Sequence, residues 1–171
     1  LVSTIGMSLM ASATDLVMLY IAMETTSISA YVLVGFLRDD DKSAEAGIKY
    51  LLFGVMATGL MLFGMSYMFG LTGSTEIAAV AAGLSTMYTQ PAAVIAIVLV
   101  LAGFFYKLAI FPLHFWVPDV YEGASNETTA FIAAVPKLAA VALLIRLITL
   151  VSGEGEVVVN ILMVCALLSM F

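Results

Sequence analysis

The stretch PAAVIAIVLVLAGFFYKLAIFPLHFWVPDVYE, residues 91–122, decides the fold class. Residues 92–110 form an apolar run as long as a transmembrane helix, which needs about 20 residues. Lys107 lies near the end of this run, and Pro112 should interrupt the helix because proline lacks a backbone donor and clashes with the preceding turn. Residues 113–122 are too polar for a span and too apolar for a free loop, which predicts a broken extension, either interfacial or buried.

The rest of the chain has the same membrane character. Of its 171 residues, 63% are hydrophobic and 11% are charged, whereas soluble domains have about 45–50% apolar and about 25% charged residues. This composition excludes a soluble domain and a disordered tail, and six basic against twelve acidic residues exclude a nucleic-acid binder. One cysteine and one histidine exclude an internal disulfide framework and a cysteine-ligated cluster, and they disfavour a multi-histidine metal site.

Continuous apolar runs predict an all-α fold, a polytopic transmembrane helix bundle. Backbone groups in lipid must be hydrogen-bonded within their own segment, and the sequence lacks the alternating pattern of barrel strands. We interpret residues 1–171 as a single transmembrane domain truncated at both ends, because the chain opens and closes inside apolar runs. The predicted spans are 1–13 (partial), 16–37, 44–70, 92–110 with its broken extension 113–122, 126–151 and 157–171 (partial).

Four ionisable side chains fall inside these apolar spans: Glu24, Lys49, Lys107 and Lys137. A charge at mid-bilayer costs at least about 2.5–3.5 kcal/mol, so such groups usually pair or face a wet interior. Glu24 and Lys137 lie too deep to reach the interface, which favours a functional role. Lys49 lies close to a polar loop, so it either reaches the interface, pairs with Glu45 four residues earlier, or takes part in a relay.

Prolines adjoin two of these lysines. Pro112 follows Lys107, and Pro136 immediately precedes Lys137. Since a proline frees the carbonyl four residues back, both positions predict broken helices that line a polar interior. His114 is predicted either to extend a relay from Lys107 to the membrane surface or to be an interfacial residue bonded to a carbonyl. The remaining polar residues of this stretch are interpreted as a helix-capping cluster: Asp119, Tyr121 and Glu122.

Buried lysines and glutamates suit a proton relay. Burial moves the pKa values of both residue types towards neutrality, and two such charges about 6 Å apart interact by roughly 3 kcal/mol at an effective dielectric constant of about 20. Movement of one charge therefore alters the proton affinity of the next. We expect Glu24 to be the input of such a relay, Lys107 its first carrier and Lys137 the next.

Several blocks of sequence carry a family resemblance: METTS at 23–27, YVLVGF at 31–36, EAGIKYLLFG at 45–54 and FYKLAIFPLHFWVPDVYEGA at 105–124. Together they resemble the antiporter-like membrane subunits of respiratory complex I over nearly the whole chain. The motif PDVYEGA, followed by TAFIAAVPKLA, is similar to the subunit N branch of this family. Cation/proton antiporter subunits typically read PDAHVEAPT at that place.

The resemblance implies an inverted-repeat antiporter-like fold, of which this chain holds the first half with its broken helix. It also implies roles for single residues. Glu24 matches a glutamate that faces a neighbouring subunit, Lys107 the lysine of the broken helix, and Lys137 the bridging lysine. Lys49 aligns with a lysine seen in the subunit N branch.

The function implied by the resemblance is proton translocation by a membrane subunit of an NADH-quinone oxidoreductase. No redox centre is expected in this chain; NADH, FMN, iron–sulfur clusters and quinone are implied in the other membrane and peripheral subunits. Those subunits and the lipid bilayer are the expected partners, in the bacterial plasma membrane or another energy-transducing membrane. The alternatives are a cation/proton antiporter subunit, against which PDVYEGA argues, and a non-translocating scaffold, against which the deep charges argue.

Overall fold

The computed structural model describes residues 1–37, 39–88, 90–151 and 156–170, with the backbone alone for 149–151 and 156–157. The last residue of the predicted segment 157–171 thus lies outside the described part. All regular structure within these ranges is helical, which confirms the all-α prediction. The helices are α1 (Val2–Ser12), α2 (Leu16–Val34), α3 (Asp41–Thr72), α4 (Ile77–Ser85), α5 (Pro91–Leu108), α6 (Val117–Gly123), α7 (Asn126–Val151) and α8 (Glu156–Leu168).

Four helices of the described residues are long and apolar enough to cross a membrane: α2, α3, α5 and the Asn126–Ile148 part of α7. α2 begins at an N-cap, Asp15, whose carboxylate accepts the N–H of Val17 at 2.8 Å and the hydroxyl of Thr75. The Thr75 hydroxyl holds the pKa of the Asp15 carboxyl below its usual range. The loops that precede α2 and α4 therefore lie together at one end of the bundle.

Small residues allow α3 to lie close to both of its long neighbours. A Cβ on Gly47 would lie 2.9 Å from the Cα of Gly35, at the end of α2. A Cβ on Gly64 would lie 2.8 Å from the carbonyl oxygen of Ala96 on α5. Because both clashes would be with backbone atoms, a larger residue at either glycine would push the helices apart.

The predicted interruption of α5 is confirmed. The helix ends at Leu108, and Ala109 takes a left-handed conformation with φ +60°. The break thus begins before Pro112 is reached. Two backbone carbonyls at the break have donors from beyond it: the N–H of Ile110 bonds the Phe105 oxygen at 2.8 Å, and the indole of Trp116 bonds the Tyr106 oxygen at 3.1 Å. The chain then turns into the short helix α6.

The second predicted break is wrong, because α7 continues through Pro136. A proline inside a helix removes one backbone hydrogen bond. An opened turn within the membrane would expose several polar backbone groups, so the continuous helix is the less costly state unless other donors are at hand. The α5 break has such donors, whereas α7 stays regular on both sides of its proline.

Two clusters of buried residues form the core. The larger one is mainly aliphatic and methionine-rich and draws residues from α1 to α5, α7 and α8. The smaller one surrounds the α5 break and combines aromatic rings with small aliphatic side chains. We call its ring-bearing members the aromatic cluster: Tyr31, Tyr50, Tyr106 and Trp116, with Tyr121 packed against them.

Candidate functional site: buried lysines around the α5 break

Lys107 lies in the last turn of α5 and is buried, with 3% of its surface exposed. Its ammonium donates a hydrogen bond to the Ser27 hydroxyl of α2 at 3.0 Å. The Ser27 hydroxyl in turn donates to the Met23 carbonyl at 2.7 Å, which leaves its lone pairs free to accept from lysine. The helix break and α2 together therefore provide a polar contact for a charge in an apolar interior.

Glu24 lies on the same helix as Ser27, three residues earlier. It is partly buried, and its Oε1 atom has no hydrogen-bond partner among the described residues. Its carboxylate and the Lys107 ammonium are not in direct ion-pair contact within the part that the structure describes. The structure thus brings Glu24 and Lys107 to the same interior, with Ser27 beside them.

Lys137 lies on α7, one residue after Pro136, and is partly buried. Its ammonium is 5.5 Å from the centroid of the Tyr121 ring on α6. Within the described ranges no hydrogen bond or ion pair reaches this ammonium. Lys137 therefore differs from Lys107, whose ammonium bonds the Ser27 hydroxyl.

Lys49 lies at the surface of the bundle in ion pairs. Its ammonium contacts Glu45 at 2.7 Å, as one of the predicted alternatives required, and also Asp119 of α6 at 2.6 Å. Two helical turns earlier on α3, Lys42 contacts Glu122 at 2.9 Å. The predicted capping role of this α6 cluster is wrong, because the helix has no side-chain cap and both carboxylates bond lysines of α3 instead.

His114 lies in the loop between the two parts of the broken helix and is exposed. Its ring packs on Phe111 with 5.9 Å between the ring centroids. In the residues described, no hydrogen bond joins it to Lys107. The structure thus brings Glu24 and Lys107 together and gives Lys137 a partner on α6, while Lys49 and His114 lie outside this interior.

Sequence reasoning missed two residues of this site, Ser27 and Tyr121. Ser27 is three residues from Glu24, which places both on one helical face, so spacing was the available signal. Tyr121 carried no signal, because its role depends on how α6 and α7 meet. Among the described residues, no group of three histidine, cysteine, aspartate or glutamate side chains could hold a metal ion.

The aromatic cluster connects the two lysine environments. Tyr106 immediately precedes Lys107, and its ring lies 5.2 Å from that of Trp116. The Trp116 ring lies 6.1 Å from that of Tyr121, over which Lys137 is placed. Ring contacts therefore extend from the α5 break to the ammonium on α7.

Comparison with known proteins identifies relatives along most of the chain. The family model described as NADH:quinone oxidoreductase/Mrp antiporter, TM matches residues 13–171. A curated relative, NADH-quinone oxidoreductase subunit N 2 of Solidesulfovibrio magneticus, is 49% identical over 152 residues, which are 89% of this chain and 32% of the relative. The resemblance predicted from the sequence is thereby confirmed.

Solved structures share the fold. A chain of respiratory complex I from Thermus thermophilus with bound aureothin matches with a TM-score of 0.74 and 34% identity, over 85% of this chain and 32% of that one. A chain of the Mrp complex from Dietzia sp. DQ12-45-1b matches with a TM-score of 0.78 and 24% identity, over 88% of this chain and 28% of that one. The chain spans about a third of the length of the relatives it matches.

The chain is an integral protein of the bacterial plasma membrane, as shown by the family match, the four apolar helices and the bacterial relatives. The chain belongs to the NADH:quinone oxidoreductase/Mrp antiporter transmembrane family.

Proposed function

We propose that this chain is part of a membrane subunit that translocates protons in an NADH-quinone oxidoreductase, with Glu24, Lys107 and Lys137 as its relay. Other membrane and peripheral subunits are its partners. Those subunits carry NADH, FMN, iron–sulfur clusters and quinone, which supply the electron-transfer chemistry. The similarity to subunit N proteins supports this assignment over a free-standing antiporter, whose likeness at 24% identity extends to the fold alone.

The observation that carries the proposal is the buried Lys107 ammonium at the end of an interrupted helix. A charge in such a place is costly, and intramembrane charges of this kind mark ion and proton pathways. A scaffold would gain nothing from this cost, since methionine or leucine would fill the same space without it.

The relay runs from Glu24 to Lys107 and on to Lys137. An ionised Glu24 carboxylate in the same interior is expected to stabilise the Lys107 ammonium, because opposite charges attract more strongly where water is scarce. When a proton or a neighbouring charge neutralises Glu24, this stabilisation is lost and Lys107 holds its proton less tightly. The proton then passes towards Lys137, and reionisation of Glu24 allows Lys107 to take up another.

The test is Lys107→Met in the complete complex, reconstituted into vesicles and driven by NADH and a quinone. We expect proton translocation to fall about tenfold or more, because the first carrier is missing. Lys42→Met is the matched control, since Lys42 is an exposed lysine paired with Glu122 and should leave translocation unchanged. Undiminished translocation with Lys107→Met would contradict the proposal.

The antiporter alternative gives a different outcome in the same vesicles. Proton movement driven by a sodium gradient, without NADH, and lost with Lys107→Met would identify a cation/proton antiporter. Assembly of the complex is measured in parallel by the yield of intact complex. A variant that fails to assemble is replaced by Lys107→Gln, which keeps a hydrogen-bond donor for Ser27.

A further inference from the structure

Lys137 is the lysine of the proposed relay whose ammonium has neither a hydrogen bond nor an ion pair in the described residues. Its recorded contact is the ring of Tyr121, whose centroid lies 5.5 Å from the ammonium. A cation within about 6 Å of an aromatic face is attracted by the negative charge density of that face, and more strongly where water is scarce. The ring therefore supplies the compensation that an anion supplies elsewhere.

One ring contact and several contacts of its helix hold Tyr121 in place. The ring packs against Trp116 with the two planes at 82°, and the Tyr121 backbone carbonyl accepts the Thr129 hydroxyl of α7 at 3.3 Å. The residues on either side of it on α6 are fixed to α3, since Asp119 and Glu122 bond lysines there. Such fixed contacts pre-organise the ring for its neighbour on α7.

The hydroxyl of Tyr121 contributes nothing to this placement. It is buried, and no hydrogen bond reaches it within the described part of the chain. The ring face, rather than the phenol oxygen, is the feature that meets Lys137. A variant that keeps the ring and loses the hydroxyl should therefore behave differently from one that loses the ring.

We propose that the Tyr121 ring is the cation–π binding site of the Lys137 ammonium, so that Tyr121 is a positioning residue for proton transfer. This inference rests on the proposed relay. The ring attracts the protonated lysine and not the neutral amine, so it holds the ammonium between α6 and α7 after proton uptake. Because the attraction is weaker than that of a carboxylate, the proton can still leave.

The experiment measures NADH-driven proton translocation by the complete complex with phenylalanine and its mono-, di- and trifluorinated forms at position 121. Fluorine withdraws charge from the ring face and changes ring size little. We expect Tyr121→Phe to keep wild-type translocation and each added fluorine to reduce it, to about fivefold below wild type with three. Tyr121→Leu should reduce it at least as far.

The matched control is the same series at Phe53 of α3. This ring packs edge-on against Phe115 with 4.8 Å between the centroids, and no cation lies over it in the described residues. Fluorination there should leave translocation unchanged. A loss with Tyr121→Phe, or a flat response to fluorine at position 121, would overturn the inference.

A Lys137→Ala variant separates this inference from the proposed function. If Lys137→Ala lowers translocation and fluorination at position 121 leaves it unchanged, the relay stands and the proposed cation–π site is wrong. If Lys137→Ala leaves translocation unchanged, the relay assignment of Lys137 is wrong, and so is the proposed cation–π site. With Lys137→Ala in place, fluorination at position 121 should have no further effect, because no cation remains over the ring.

Discussion

The two helices in which a proline adjoins a lysine differ in continuity. Near Pro112 the helix ends and the chain turns, whereas α7 passes through Pro136 without interruption. The difference lies in the surroundings rather than in the proline. Near the α5 break the Trp116 indole bonds the Tyr106 carbonyl, and the Ile110 N–H bonds the Phe105 carbonyl. A helix in a membrane opens where other donors replace its own.

The two lysines differ in the same way. Lys107, at the break, has a hydroxyl partner at 3.0 Å, Ser27, which lies three residues after Glu24 on α2. Lys137, on the continuous helix, has an aromatic ring at 5.5 Å. An interrupted helix thus brings its lysine to polar groups of a neighbouring helix, whereas a continuous one presents its lysine to whatever packs on its side. The following variants test this contrast, from the largest expected effect to the smallest.

The largest effect on proton translocation is expected from Glu24→Gln, on α2 beside the α5 break. Loss of the carboxylate removes the input to Lys107, so NADH-driven proton translocation by the complete complex should fall about tenfold or more. Adding Lys107→Met should reduce it little further, because one relay is already broken. Additive losses in this double-mutant cycle would mean that the two residues act independently.

On the continuous helix, Lys137→Arg should lower translocation about tenfold, as Lys137→Ala should. A guanidinium keeps the positive charge and packs on aromatic rings, but it does not release its proton at usable pH. The complex should therefore assemble normally with arginine. Wild-type translocation with Lys137→Arg would show that a fixed positive charge suffices at this position, and the relay role would be lost.

Ser27→Ala should slow translocation about threefold to tenfold, since a hydrogen bond to a charged group is worth about 1.5–3 kcal/mol and only part of it bears on transfer. Thr26→Ala is the matched control. Its hydroxyl is also buried on α2, but it bonds the Ala22 carbonyl of its own helix and no lysine of the described residues. Equal effects of the two variants would indicate that only the packing of α2 matters.

Trp116→Phe should destabilise the break itself. The indole is buried, with 1% exposed, and it donates to the Tyr106 carbonyl at 3.1 Å. Loss of this donor and of part of the ring should lower the free energy of unfolding by about 2–4 kcal/mol. The Tm of the purified complex measures this, with the exposed Phe115→Leu as control. An unchanged Tm would mean that the break does not depend on the indole.

The smallest effect is expected at Ala109, whose φ of +60° is strained for a residue with a Cβ. Ala109→Gly should therefore stabilise the complex by about 1 kcal/mol without changing translocation. Ala109→Val should destabilise it by a similar amount or more, since β-branched residues tolerate this conformation poorly. A lower Tm with glycine than with alanine would show that backbone strain is not what limits this position.

The sequence predicted the helical class, the existence of a break in α5 near Pro112 and the three charges deep in the apolar spans. These features are local: apolar length fixes which segments span, and a proline marks where a helix is weak. Each of Glu24, Lys107 and Lys137 was also found from the sequence alone, because a charge within an apolar run is conspicuous. The Glu45 partner of Lys49 followed from helical spacing.

Contacts between helices were beyond the sequence. Ser27 meets Lys107 across 80 positions in the chain, and Asp119 meets Lys49 across 70, so neither pairing is encoded in local spacing. For the same reason the carboxylates of α6 were mistaken for caps. Pro136 looked like Pro112 in the sequence, and only the packing decided which helix opened.

The sequence by itself determined that this chain is a membrane helix bundle with ionisable groups inside its spans, because apolar length and a charge within an apolar run are both properties of residue type and position. Only the tertiary structure decided which partner each lysine has: Ser27 for Lys107 and the Tyr121 ring for Lys137. A hydrogen bond or a cation–ring contact acts over a few ångströms, so it exists only once distant segments have packed side by side.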